Sequence, residues 1–209
     1  MSLSARDPTL STLPVDPVWF VEVVRDAQAG NISAFNALFQ YYNTRICTYL
    51  ARMVGNDEEG RDLAQETFIK VWRALPGMHD EFHFDTWLYR IATNTAIDHL
   101  RRRKSRWPLC KDSEMDDSSE NMSTGGPEEQ VEQSEQIKLA LVELSPQYRA
   151  CLLLQYVVGF TQREIARSLN LSEKSVSIYV SRGCEQFRRA YERLAKGQDA
   201  TSERRRSVV

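Results

Sequence analysis

Residues 159 to 183, GFTQREIARSLNLSEKSVSIYVSRG, hold two helix-start signals eleven residues apart, so two helices must meet at a sharp turn. Thr161 followed by Glu164 is a capping box, in which hydroxyl and carboxylate satisfy backbone N–H groups reciprocally. Behind it, Ile165, Ala166 and Leu169 give the first helix a side to bury. Asn170-Leu171 suits the turn, because Asn enters left-handed backbone geometry at low cost. Ser172 then caps a second helix, on which Val176, Val180, Gly183 and Phe187 fall on one stripe. Burying that stripe turns Lys174, Ser175, Ser177, Ile178, Ser181 and Arg182 outward or toward the helix start. Short polar, apolar and cationic side chains on one helix face are what base-edge reading in a major groove requires. The pattern predicts a helix-turn-helix; a plain helical hairpin with a solvated outer face is the simpler reading of the caps alone.

The rest of the chain is predicted to be all-α. FVEVVRDAQAG ends on Gly30, and NISAFNALFQYYNTRICTYLARMVG opens on Asn31 and closes on Gly55. Asn56 and Asp57 start a third helix, where Ala64, Phe68, Val71 and Leu75 form one buried stripe and Pro76-Gly77 the stop. A fourth helix is expected from about Phe84 to Lys104. No segment alternates with the period of two that a half-buried strand needs.

Charge divides the chain more sharply than its net value of −2 suggests. From Lys111 to Gln136 there are nine acidic residues and one lysine, leaving the remainder at about +6. Within that stretch KDSEMDDSSENMSTGGPEEQ offers almost nothing to bury, and reads as a linker, disordered in isolation. The expected organisation is therefore a polar tail over 1–17, a helical domain over 18–106, and an acidic linker over 107–133. A second helical domain follows over 134–197, then a basic tail over 198–209. Each domain is marginal in core size.

No apolar run is long enough to span a bilayer, and the N-terminus lacks the basic head and apolar stretch of a secretory signal. Cys47, Cys110, Cys151 and Cys184 are scattered, without a CxxC pair, which favours a reducing, cytoplasmic compartment over a zinc knuckle.

A second informative stretch is FHFDTWLYRIATNTAIDHLRRRKSR. Phe82, Phe84, Trp87 and Tyr89 cluster at a helix start, and five cations lie within Arg101–Arg106. Arg90, Asn94 and Arg101 share a polar face that begins at Thr86. Cations track phosphates, while aromatic faces and an amide hold an unstacked base, which suits parted strands better than an intact duplex. The competing reading places Trp87, Leu88, Ile91 and Ala92 in the core and makes the basic run a complement to the helix dipole.

Taken together the motifs resemble the extracytoplasmic-function (ECF) sigma factors, two-domain members of the sigma-70 family of bacterial RNA polymerase subunits, over about residues 18 to 195. DLAQETFIKVWRAL looks like their region 2.2 and FDTWLYRIATNTAIDHLRR like regions 2.3 and 2.4. LSPQYRACLLLQYVVGFTQREIARSLNLSEKSVSIYVSRGCEQFR looks like region 4. The resemblance implies that Asp62, Gln65, Glu66, Ile69 and Lys70 dock on the β′ clamp of core RNA polymerase, and that region 4 also meets the β flap. It implies that His79, Phe82, Phe84, Trp87, Tyr89, Arg90, Asn94 and Arg101 engage a melted −10 element. Lys174, Ser175, Ser177, Ile178, Ser181 and Arg182 would read the −35 element. A membrane-anchored anti-sigma partner would hold such a factor inactive, the acidic linker would thread toward the RNA exit channel, and no catalysis, cofactor or metal is expected. The loop PGMHDEFHFDTW departs from the family pattern: it lacks a mid-loop glycine and carries His79 and His83.

Two other functions fit parts of the sequence. A one-component repressor or activator would bind duplex operator as a symmetric dimer, but gives no reason for the Asp62–Lys70 face. A metal hydrolase would draw on His79, His83, Asp80, Asp85, Asp98 and His99. However, His79 and His83 follow Pro76-Gly77 in an expected loop, where their spacing does not put both on one face.

Overall fold

The computed structural model describes residues 17–79, 83–106 and 128–206. Eight α-helices make up the described chain: α1 Pro17–Gln28, α2 Ile32–Val54, α3 Asp57–Ala74, α4 Phe84–Arg106, α5 Glu128–Val142, α6 Pro146–Leu153, α7 Gln162–Leu169 and α8 Glu173–Arg206. A 3-10 turn, Leu75–Gly77, closes α3, and a π-helical turn, Leu154–Val158, extends α6.

Helices α2 and α3 start where their capping residues require. Asn31 Oδ1 accepts from the N–H groups of Ser33 at 2.9 Å and Ala34 at 3.2 Å, opening α2. Gly55 closes it in left-handed geometry (φ +82°). Asn56 accepts from Glu58 and Glu59, and Asp57, Glu58 and Glu59 complement the positive end of the α3 dipole. Helices α2 and α3 approach closely because Gly60 has no side chain; a Cβ there would lie 2.6 Å from the Ala51 backbone. Ala64, Phe68, Val71 and Leu75 are all buried, as their spacing predicts. They meet Tyr42, Ile46, Tyr49, Leu50 and Met53 of α2 and Leu88, Ala92 and Ala96 of α4.

In the second half, Leu141 and Leu144 pack with Ala150, Leu153 and Leu154, and with Ile165, Val176 and Val180. Gly183 faces Leu152 and Tyr148 at 3.2 to 3.4 Å from where a Cβ would sit, so the helices approach closely there.

Three features differ from the sequence reading. Helix α5 begins at Glu128, six residues inside the stretch read as linker; its acidic first turn suits a helix N-terminus. Helix α8 runs on through the basic tail to Arg206 rather than ending as a short reader. The two halves also do not stand apart: α5 and α6 pack on α2, and α7 packs on α4. The buried residues of both form one continuous core. Two small domains with marginal cores gain apolar burial by sharing a face. The N-terminal tail to residue 16, the stretch 107–127 and residues 207–209 lie outside the described residues.

Candidate nucleic-acid interface

The helix-turn-helix is held by its caps. Thr161 N–H donates to Glu164 Oε2 at 2.7 Å and Glu164 N–H to Thr161 Oγ1 at 3.3 Å, the reciprocal box. Asn170 makes the turn at φ +53°. Ser175 N–H donates to Ser172 Oγ at 3.1 Å, starting α8. With Val176 and Val180 buried, Lys174, Ser177, Ser181 and Arg182 stand exposed, and Ile178 keeps 40% of its surface open. Ser175 is half-buried, its hydroxyl 2.7 Å from that of Ser172, so its first task is the cap.

On α4 the polar face is real but narrower than the motif suggests. Arg90, Asn94 and Arg101 are exposed. Thr86 is buried, and its hydroxyl donates to the His83 carbonyl at 3.1 Å. Phe84 and Tyr89 are only 1% and 4% exposed, which removes them from any base-facing surface in this arrangement. The ring of Phe84 packs with Phe20, Tyr42 and Trp87, and that of Tyr89 meets Tyr49 and Phe160 edge-on. Both are apolar bodies that the α2–α4 seam needs. Phe82 lies outside the described residues. His79, His83, Thr86, Trp87 and Arg90 line a cleft of about 330 Å³, and Arg167 of α7 reaches into it. Sequence alone gave no sign of Arg167 there, because it comes from the other half.

Three titratable residues of the hydrolase reading hold separate partners. His99 meets Glu59 at 3.0 Å, Asp98 meets Arg101 at 3.1 Å, and Asp85 accepts from Tyr42. Among the described residues no three His, Cys, Asp or Glu side chains converge as a metal site would need.

The α3 face is a third exposed surface. Asp62, Gln65 and Ile69 point outward, while Glu66 and Lys70 are half-buried and paired at 2.8 Å. Lys70 also donates to Thr95 at 3.0 Å, tying α3 to α4. Beside them runs an open apolar groove of about 650 Å³ whose walls include Ile32, Phe35, Phe39, Ile69 and Trp72. Ile32 is 67% exposed and Ile69 52%, unusual for side chains of that size. The sequence reading missed the groove; Ile69 and Trp72, three apart and off the core stripe, were its one visible sign.

Two family models match in order: sigma-70 region 2 over residues 38–106 and sigma-70 region 4 over residues 134–187. The ECF RNA polymerase sigma factor SigW of Bacillus subtilis is 31% identical over 176 residues, covering 79% of this chain and 93% of that protein. The chain belongs to the ECF sigma factors of the sigma-70 family. Two solved structures share the fold of this sigma factor. CnrH, solved with the cytosolic domain of CnrY, aligns at a TM-score of 0.61 and 23% identity, covering 83% of this chain and 97% of that one. RpoE of Bartonella quintana, solved with the anti-sigma factor NepR, aligns at 0.64 and 17% identity, covering 77% and 98%. Members of the family direct RNA polymerase to promoters in transcription initiation, and are not enzymes. Region 2 spans the α3 face and the α4 cleft, while region 4 spans the helix-turn-helix. Among the described residues no helix of this sigma factor is long and apolar enough to cross a membrane.

Proposed function

We propose that the exposed faces divide the work of initiation among named residues. Asp62, Gln65, Glu66, Ile69 and Lys70 on α3 dock on the β′ clamp of core RNA polymerase, and the neighbouring groove supplies the apolar centre that a stable interface needs. Arg90, Asn94 and Arg101 on α4, with His79 and Trp87 at the cleft, engage the parted −10 strand. Lys174, Ser177, Ile178, Ser181 and Arg182 read the −35 duplex, with Ser175 holding the helix start. Region 4 also meets the β flap, and residues 107–127 connect the two halves. The chain makes and breaks no covalent bond, and acts in the cytoplasm. The observation that carries this reading is the orientation of α8: Val176 and Val180 are sealed inside, leaving the opposite face free for a groove. An anti-sigma partner is part of the proposal, since both solved neighbours were captured with a second protein and one of these is an anti-sigma factor.

The test separates a polymerase subunit from a free-standing regulator. Genomic fragments are offered to the full chain alone and to the chain with core polymerase. Retention of promoter fragments only when both are present supports the proposal. Retention of a palindromic duplex by a dimer of the chain alone would replace it with the regulator reading.

A further inference from the structure

The rotation of α8 about its own axis is fixed by its packing. Val176 is fully buried and Val180 nearly so, Tyr179 sets its ring 5.2 Å from that of Tyr148, and Gly183 lies against Leu152. Ile178 stands two residues from each valine, about 200° around the helix, so it cannot join the core that holds them. It keeps 40% of its surface open, and among the described side chains of α8 it is the only large apolar one so exposed. A β-branched residue lowers helix propensity, so local structure gives no reason for an isoleucine there. Its surroundings give one. Lys174 and Arg182 lie one turn to either side in the same row, and the nearby Ser177 and Ser181 are short and exposed. Cations at the ends of the row can meet phosphate or guanine, and the serines let the helix come close. The isoleucine is left at the centre, nearest the base edges.

Resting on the reading of α8 as the helix that enters the groove, we propose that Ile178 selects a thymine in the −35 element through the base's 5-methyl group. The major-groove edges of guanine, adenine and cytosine present acceptors and amino donors, whereas thymine alone adds an apolar group. A purine or cytosine beneath Ile178 loses water from its polar edge and gains no partner, so the side chain rejects three bases as well as accepting one. Four residues separate Ile178 from Arg182, a rise of about 6 Å, against about 3.4 Å per base-pair step. The selected thymine therefore lies within about two base pairs of the base that Arg182 contacts.

Deoxyuridine in place of thymidine removes that methyl and leaves pairing and the polar groove edge unchanged, which isolates the contact. Holoenzyme made from core polymerase and the full chain first selects duplexes from a pool randomised across the −35 element. Binding of the selected duplex is then measured by competition, with each thymidine replaced in turn. One replacement, within about two base pairs of the position whose preference Arg182→Ala relaxes, is expected to weaken wild-type binding about four-fold, the worth of one buried methyl. Ile178→Ala should bind the thymidine and deoxyuridine duplexes equally, and Ile178→Val should keep most of the difference. A wild-type holoenzyme indifferent to every replacement overturns the assignment of Ile178. An equal loss in wild type and Ile178→Ala overturns it as well, since the methyl then meets another group. A weaker hold of Ile178→Ala on core polymerase before DNA is added, with thymidine discrimination unchanged, gives the side chain to a protein contact and also overturns it. In each case Arg182→Ala reports separately on the reading beneath: if its base preference stays that of wild type, α8 does not face the bases at all.

Discussion

Arg149 of α6 donates through Nη1 to the backbone carbonyl of Met53 at the end of α2, across the seam between the halves. Its Nη2 reaches the carbonyls of Val142 at 2.5 Å and Leu144 at 3.1 Å. Burial pushes the guanidinium down to about 10, with Arg103 as a lesser cause, so the side chain still carries its charge at neutral pH. One buried cation thus serves three backbone carbonyls. Arg149→Ala is expected to lower the unfolding free energy by about 3 kcal/mol, from hydrogen bonds to a charged group lost in a buried site. Urea unfolding followed by circular dichroism measures it. Arg149→Lys should recover only part of the loss, because an ammonium does not reproduce the planar fork.

The α2–α4 seam predicts a weakness at high pH. Tyr42, Tyr49 and Tyr89 are buried, and burial raises all three phenols above their ordinary value near 10. Asp85 adds to the rise at Tyr42 and Tyr89. The protonated phenol is the form the fold accepts, so stability is fully present below about pH 10. It is lost above that, as the unfolded chain releases protons that the folded one keeps. The urea midpoint should fall progressively above about pH 10, and Tyr49→Phe should reduce the steepness of the fall. An equal slope in that variant would mean Tyr49 ionises freely in the fold.

Much of this organisation was legible in the sequence, because it depends on local signals. Asn31, Asn56 and Thr161 cap helices through atoms two or three residues away, and the Ala64–Leu75 stripe follows from helical period alone. What was not legible depends on partners distant in the chain. Phe84 and Tyr89 looked like a stacking platform, since an aromatic cluster beside cations does not reveal which ring faces inward. Arg149 carries no local signal of its role, since its carbonyl partner stands 96 residues away. Arg167 reaches a cleft built 84 residues earlier. Such pairings need the packed arrangement.

For the groove-reading face, Arg182→Ala is expected to weaken −35 recognition in a base-dependent way, by about 1–3 kcal/mol if the guanidinium makes a bidentate base contact. Competition between holoenzyme and promoter duplexes with single base changes measures it. A uniform loss across all sequences would assign Arg182 to phosphate instead.

The docking face is best probed at Asp62, which is exposed, rather than at Glu66, whose carboxylate is committed to Lys70. Asp62→Lys should reduce affinity for core polymerase about ten-fold or more without changing helicity. Trp72→Ala, at the rim of the apolar groove, should cost about 2 kcal/mol of binding if its indole anchors the interface. Affinity is read by titrating labelled chain with core enzyme.

Run-off transcription by core RNA polymerase, with and without the full chain on fragments of its own genome, decides whether the chain confers promoter use. Discrete transcripts should appear only with the wild-type chain, be lost with Asp62→Lys, and change promoter preference with Arg182→Ala. Transcripts that are the same with and without the chain on every fragment would show that it does not.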